Sequence, residues 1–465
     1  MSDFEKIVRG NLVDADRVQH DGWLGIRDGR IVARGHGTPP SAGESVDARG
    51  CWVLPGIVDG QVHAGSQADQ EGLGHASRAA AAGGITVMVD MPYDASGPVS
   101  HRARLDEKIA ETERDCHVDV ALYGTIDAEH GLDAIAGLIE GGVCAFKFST
   151  FEAAPGRFPR IEEDDLLAAF TRIAPAGLAC GVHNQMQELT RKNVQRLMAA
   201  NDVGWDAFHR AHTPLIENLA TALIYEIGAQ SGARAHAVHV STSRGFEIFK
   251  TYRNAGHAVS IETCVQYLML NHEEHTAKFG ALTKHYPPIR PKAEVDQLWT
   301  HIAAGNCTFV SSDHVSWGLE RKRDPNVFKN ASGGPGLETL LPAFWTGCET
   351  RGISPTVVAQ LLARNPARHF LLDDRKGSLR EGADADIVVL KPETYRFDPS
   401  RSLCAVQWSS FEGMEMTARV MATFCRGTQV FDEGGTTPTI THNPGYGKFL
   451  RPKAQSAAPS NQDRM

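Results

Sequence analysis

Five side chains able to bind a metal ion or move a proton sit in matching settings along this 465-residue chain: His63, Lys147, His183, His239 and Asp313. Each falls at or near the end of a short apolar run: VLPGIVDGQVHA, CAFKFS, ACGVHNQ, HAVHVSTS and FVSSDHVS. Runs of this kind read as buried strands, whose side chains alternate between faces. In the first run, Asp59, Gln61 and His63 therefore share a face. A lone histidine at a strand end is most often a hydrogen-bonded structural residue. Reactive residues at the matching end of five different strands point instead to one shared site. Neutral imidazoles and a carboxylate suit zinc, and the same donors accept manganese, cobalt or iron. A metal hydrolase would place histidines at i and i+2 of the first run; here Gln61 takes the first place, and its amide oxygen is a weaker, neutral donor. Lys147 stands apart, because an ammonium has no lone pair to give. It becomes a ligand only if modified, for example to a carbamate by carbon dioxide. The plain alternative is an ion pair with Asp313.

Elements must bring these residues together. Eight apolar strands are read at 57–63, 84–91, 118–125, 143–148, 179–183, 235–240, 258–264 and 307–313. Amphipathic stretches such as 98–114, 161–174, 214–230 and 243–255 separate them. Strands alternating with helices build a parallel sheet, and eight such units close into a (β/α)₈ TIM barrel of the α/β class. Such barrels carry their chemistry at the C-terminal ends of the strands. The chain ends read differently. Residues 1–55 and 376–437 alternate apolar and polar positions, with Asp28-Gly29 as a hairpin signal. Both ends are expected to form one small β-sandwich, flanking a barrel over 56–375. The tail, 438–465, is rich in Pro, Ser and Gln and is expected to be partly mobile.

The bulk numbers exclude some functions. A net charge of -9, with no long basic run, argues against a nucleic-acid surface. Nine scattered cysteines without a CxxC pair read as buried thiols in a reducing compartment. The start, MSDFEKIVRG, lacks the apolar stretch of a signal peptide, and no apolar run is long enough to span a membrane. A cytoplasmic protein with no membrane partner is expected.

The same residues carry a family resemblance over nearly the whole chain. PGIVDGQVH, RAAAAGGITVMVDMP, the FKFS lysine, GVHNQ, AVHVSTSRG, IETCVQYLML, KHYPPIR, SSDHVSW, GGPGLETLLP and NPARHFLL occur in order. In this the chain resembles the amidohydrolase superfamily, in the cyclic amidase branch of allantoinase, hydantoinase/dihydropyrimidinase and dihydroorotase. The resemblance implies a carbamylated Lys147 bridging two metal ions. His183 and His239 would hold one ion, and His63 and Asp313 the other. Asp313 would also take a proton from the attacking water and pass it to the leaving nitrogen. Backbone groups near Thr263 and near Ser332 would hold the cyclic amide. The resemblance further implies a homo-oligomer, a tetramer or a dimer, with the GYGKFLRP tail packed on a neighbour.

Departures from the pattern are specific. Gln61 replaces a histidine, His183-Asn184-Gln185 replaces a His-Ala-Glu or His-Cys-Glu run, and Phe151 and Glu152 stand where a tyrosine is common. Ser332 stands where hydantoinases carry an asparagine. These changes argue against a standard hydantoin or dihydropyrimidine as substrate. Arg157 and Gln67, in loops over the barrel mouth, are candidates to touch a polar substrate, with plain solvated loop residues as the alternative. The expected activity is opening of a cyclic amide, imide or ureide by a metal-bound hydroxide. Two alternatives remain open: a one-metal variant held by Lys147, His183 and His239, and a metal-free oligomeric scaffold.

Overall fold

The computed structural model describes residues 3–67, 71–154, 157–434 and 438–453. Eight parallel strands form the central sheet, in the order of the chain: Ile57–Val62, Ile85–Asp90, Asp119–Gly124, Ala145–Ser149, Ala179–His183, Arg234–Ala237, Val259–Cys264 and Phe309–Ser311. The sheet closes on itself. The His63 N–H donates to the His314 carbonyl at 2.9 Å, and Val62 pairs in parallel with His314. Strands such as ITVMVD are buried at every position, because helices cover the outer face and side chains fill the interior. The helices expected from amphipathic spacing are present at Arg102–Asp115, Glu163–Ile173, Pro214–Ser231 and Ser243–Asn254. Pro214 opens the third of these, and Gly232, at φ 73°, ends it in the left-handed conformation that glycine adopts at low cost.

The chain ends meet in one continuous eight-stranded sheet. Its central strand, Ala42–Pro55, pairs in parallel with Phe4–Val13 and antiparallel with Ile387–Arg396, so it stitches the two ends together. After Gly56 alone the same chain enters the first barrel strand at Ile57. Asp28 and Gly29, at φ 50° and 72°, join Val18–Arg27 to Arg30–His36, as the hairpin signal requires.

The GYGKFLRP segment seats on its own barrel, and the last dozen residues, expected to be mobile, lie outside the described residues. The Val120 N–H donates to the Lys448 carbonyl at 3.0 Å, and the Leu450 N–H donates back to Val120 at 2.8 Å. Leu450 is buried with Val58, Val87, Ala121 and Ala145. Hydrophobic burial at the barrel's N-terminal end thus outweighs the tail's polar composition.

A buried charge cluster fastens the sheet domain to the barrel. Lys376 Nζ lies 2.7 Å from Asp119, 2.9 Å from Asp384 and 2.8 Å from Asp386. Burial alone would lower the Lys376 pKa, but Asp119 and Asp386 outweigh it and hold the pKa well above its usual value. Lys376→Met would leave Asp386 without a counter-charge and Asp119 and Asp384 with only Arg426 and Arg375. It is expected to destabilise the protein by about 3–5 kcal/mol, read as a lower urea midpoint.

Candidate active site

Strand geometry delivers the predicted residues to one place. Gln61, His63, Lys147, His183, His239 and Asp313 all line a cavity of about 340 Å³ at the C-terminal mouth of the barrel. Lys147 sits within its strand, beside Gly181 of the next. His183 is the last residue of the fifth strand, while His239 and Asp313 follow the ends of theirs. His239 and Asp313 take φ values of 41° and 50°, which non-glycine residues seldom adopt. The strain turns both side chains at the point where strand becomes loop.

Two subclusters form. His183 Nδ1 and His239 Nε2 face each other at 2.8 Å. Opposite them, Gln61 Nε2 donates to Asp313 Oδ1 at 2.7 Å, and His63 Nε2 lies 3.5 Å from the same oxygen. Asp59, behind Gln61, accepts from the Ser312 N–H at 3.0 Å and so ties the first strand to the eighth. Lys147 Nζ is buried with no hydrogen-bond partner, so the ion pair with Asp313 is not formed. Gln61 Oε1 and His239 Nδ1 are likewise buried and unpartnered.

Electrostatics follow from burial. Burial first, and then the Lys147 charge, push His183 down to about 4. Burial, with His183 and Lys147 behind it, holds His239 well below the usual histidine range. Both rings are therefore neutral near physiological pH; His183 Nε2 faces the Gln185 Oε1 acceptor at 3.1 Å, so its Nδ1 lone pair accepts from His239 Nε2. Burial pushes Lys147 down to about 8, against the pull of Glu262 and Asp313. A fraction of the amine is then neutral near physiological pH, the form that reacts with carbon dioxide. Burial would raise Asp313, but its hydrogen bond to His63 and the charges of His63 and Lys147 outweigh this and hold it below the usual carboxylate range.

The substrate-binding candidates divide. Ser332 lines the cavity, and its hydroxyl has no partner. Arg157 also lines it, with its guanidinium donating to the carbonyls of Ser66 at 3.2 Å and Tyr93 at 3.1 Å. Thr263 lies in the seventh strand, its hydroxyl buried and unpartnered, and is not among the cavity-lining residues. The Gln67 side chain falls outside the described residues. Sequence reasoning missed Tyr93, Lys284, Tyr286 and Trp317, which reach the cavity from loops. Tyr93 stacks on Phe158 at 3.7 Å between ring centres and donates to the Lys147 carbonyl at 3.1 Å. Lys284 and Tyr286 belong to KHYPPIR, a motif legible in the sequence whose side-chain directions were not.

A closed barrel with imidazoles, an amine and a carboxylate converging at its C-terminal mouth defines an enzyme of the barrel hydrolase class. The amidohydrolase family pattern matches residues 52–430. An allantoinase of Rubrobacter xylanophilus is 33% identical over 461 residues, covering 98% of this chain and 99% of that one. An L-hydantoinase of Paenarthrobacter aurescens is 28% identical, covering 96% of this chain and 98% of that one. The solved L-hydantoinase (dihydropyrimidinase) of Arthrobacter aurescens superposes with a TM-score of 0.92 at 27% identity, covering 96% of this chain and all of that one. The chain belongs to the amidohydrolase family. Members of this family generally depend on a divalent metal ion. Among the described residues no helix is long and apolar enough to cross a membrane.

Proposed function

We propose that the protein hydrolyses the carbon–nitrogen bond of a cyclic amide, imide or ureide, in the manner of allantoinase and hydantoinase, at the cavity built around Lys147. The observation that carries this reading is the buried, unpartnered Lys147 amine among two neutral imidazoles and a carboxylate. An isolated buried amine is costly unless something completes it. A divalent ion, zinc first, fits these donors: His183, His239 and a carbamylated Lys147 would hold it, with His63 and Asp313 holding a second if two are bound. When bound, it supplies Lewis acidity toward the amide carbonyl and lowers the pKa of water.

The chain's own residues do the rest. Asp313, ionised and fixed by Gln61 and His63, takes a proton from the attacking water and returns it to the leaving nitrogen. The facing nitrogens of the neutral His183 and His239 rings share one proton at 2.8 Å, which a bound ion would displace. Phe158 and Tyr93 form a rigid apolar wall that limits water around the ring. Ser332 offers an unpartnered hydroxyl to the ring amide, and the backbone near Thr263 offers further support.

Gln61 favours the one-metal form of this site. Its Nε2, a donor, faces Asp313, where a second ion would need an acceptor. Gln61→His is expected to raise bound metal from about one to about two equivalents per chain, by elemental mass spectrometry. Equal content in the variant and the parent would refute the role given to Gln61.

Free thiols at all nine cysteines, eight of them buried, support a reducing, cytoplasmic setting. Leu189, Met198, Leu215 and Leu219, exposed on the helices Gln187–Ala199 and Pro214–Ser231, support a homo-oligomer, a dimer or tetramer.

A further inference from the structure

The cavity wall has an imbalance of charge that ring opening alone does not use. Besides Lys147, four cationic side chains line it: Arg157, Lys284, Arg321 and Lys329. Among the described residues Asp313 is the one carboxylate in the lining, and it is engaged by Gln61 and His63. Arg321 and Lys329 stand at the exposed rim. Lys284 is different: it is 3% exposed and forms part of the wall next to Tyr286.

Among the described residues Lys284 has no counter-ion. Its ammonium donates to the Asn330 carbonyl. It also lies 5.3 Å from the centre of the Phe208 ring and 5.5 Å from that of Tyr286. Burial pushes its pKa down to about 7, and no carboxylate offsets this. A second buried amine, Lys322, sits behind it, held well below the usual lysine range by burial and by the Lys284 charge. Lys322 donates to the carbonyls of Lys284 at 3.3 Å, Ala331 at 3.0 Å and Gly333 at 2.7 Å. Neutral dipoles only partly repay the desolvation of a charge at Lys284. The same loops carry Ser332, so the uncompensated charge borders the space where the ring would sit. An anionic group on the substrate, turned away from Asp313, would supply the missing charge. The rim cations would raise its local concentration before it enters.

We propose that the ring substrate carries a carboxylate substituent and that Lys284 is the specificity-determining residue that binds it. This rests on the ring-opening reading above, and the test separates the two. The probes are hydantoin-5-acetic acid and its neutral isostere hydantoin-5-acetamide, which differ in charge and hardly in size. Binding to the full chain is measured by calorimetry, and ring opening by loss of the ring signals in NMR. The acid should bind about ten- to hundredfold more tightly than the amide, as a charge-assisted hydrogen bond predicts. Added salt should weaken the acid and leave the amide alone. In Lys284→Met the preference should fall to roughly onefold, while Lys284→Arg should keep part of it. Met matches the lysine stem and removes a buried charge, so the variant should melt no lower than the parent.

The proposal is overturned if wild-type protein binds the acid no better than the amide, or binds neither. It is also overturned if the preference survives Lys284→Met. Should the variant fail to fold, the charge and salt dependence of the wild type decide. Tight, Lys284-dependent binding of the acid without opening of any ring would sink the ring-opening reading and leave this one standing. Opening of both rings without preference would do the reverse.

Discussion

Asp313→Asn should lower ring opening by at least about a thousandfold while leaving the fold intact, a loss at the upper part of the range for a general acid–base group. The substitution is nearly isosteric. An Asn oxygen can still accept from Gln61 Nε2, which now donates to Asp313 Oδ1 at 2.7 Å. The same oxygen keeps its place 3.5 Å from His63 Nε2. What disappears is the basic carboxylate, and with it the route for the proton from water to the leaving nitrogen. Steady-state kinetics and a melting curve measured together check this. A loss in kcat with an unchanged melting temperature is expected. A variant with more than about a tenth of parent activity would remove Asp313 from the chemistry.

Lys147→Ala should abolish both bound metal and activity, with turnover falling by at least about a thousandfold. Its effect on stability should run the other way from that of an ordinary core truncation. The amine is buried without a partner, so removing it relieves a desolvation cost that partly offsets the cavity left behind. The pair of readouts matters: a chain that melts near the parent temperature yet holds no metal has lost a ligand, not its fold. Retention of metal in Lys147→Ala would assign the site to the histidines alone. Lys376→Met, by contrast, should unfold more easily and keep its metal, since its partners Asp119, Asp384 and Asp386 lie apart from the cavity-lining set.

The sequence was most legible where a single periodicity decides the outcome. Strand alternation put Gln61 and His63 on one face, and they do line one cavity with Lys147, His183, His239 and Asp313. The Asp28-Gly29 turn was readable because only a few residue types accept two successive positive φ values. Loops were less legible, because alternation says which way a strand residue points and nothing about how a loop folds over the mouth. Lys284 and Tyr286 sit in a recognisable motif, yet their aim into the cavity depends on packing against Phe208 and Asn330. Thr263 shows the opposite limit. Its strand was read correctly, but it is absent from the cavity lining. Phe449 and Leu450 are too few to form a pattern, so the packing of Leu450, 1% exposed beneath the barrel, was not legible in the tail's composition. The left-handed backbone at His239 and Asp313 left no trace in residue type.

The most direct test of the central claim is ring opening itself. Purified full-length protein, supplied with zinc, manganese or cobalt and bicarbonate, is mixed with a panel of allantoin, hydantoin, dihydropyrimidine and carboxylate-bearing cyclic ureides. Carbon NMR then follows the ring carbonyl signals. The account predicts that at least one ring is converted to its open carbamoyl acid, and that Asp313→Asn does not convert it. Intact rings throughout, from a folded protein carrying bound metal, would contradict it.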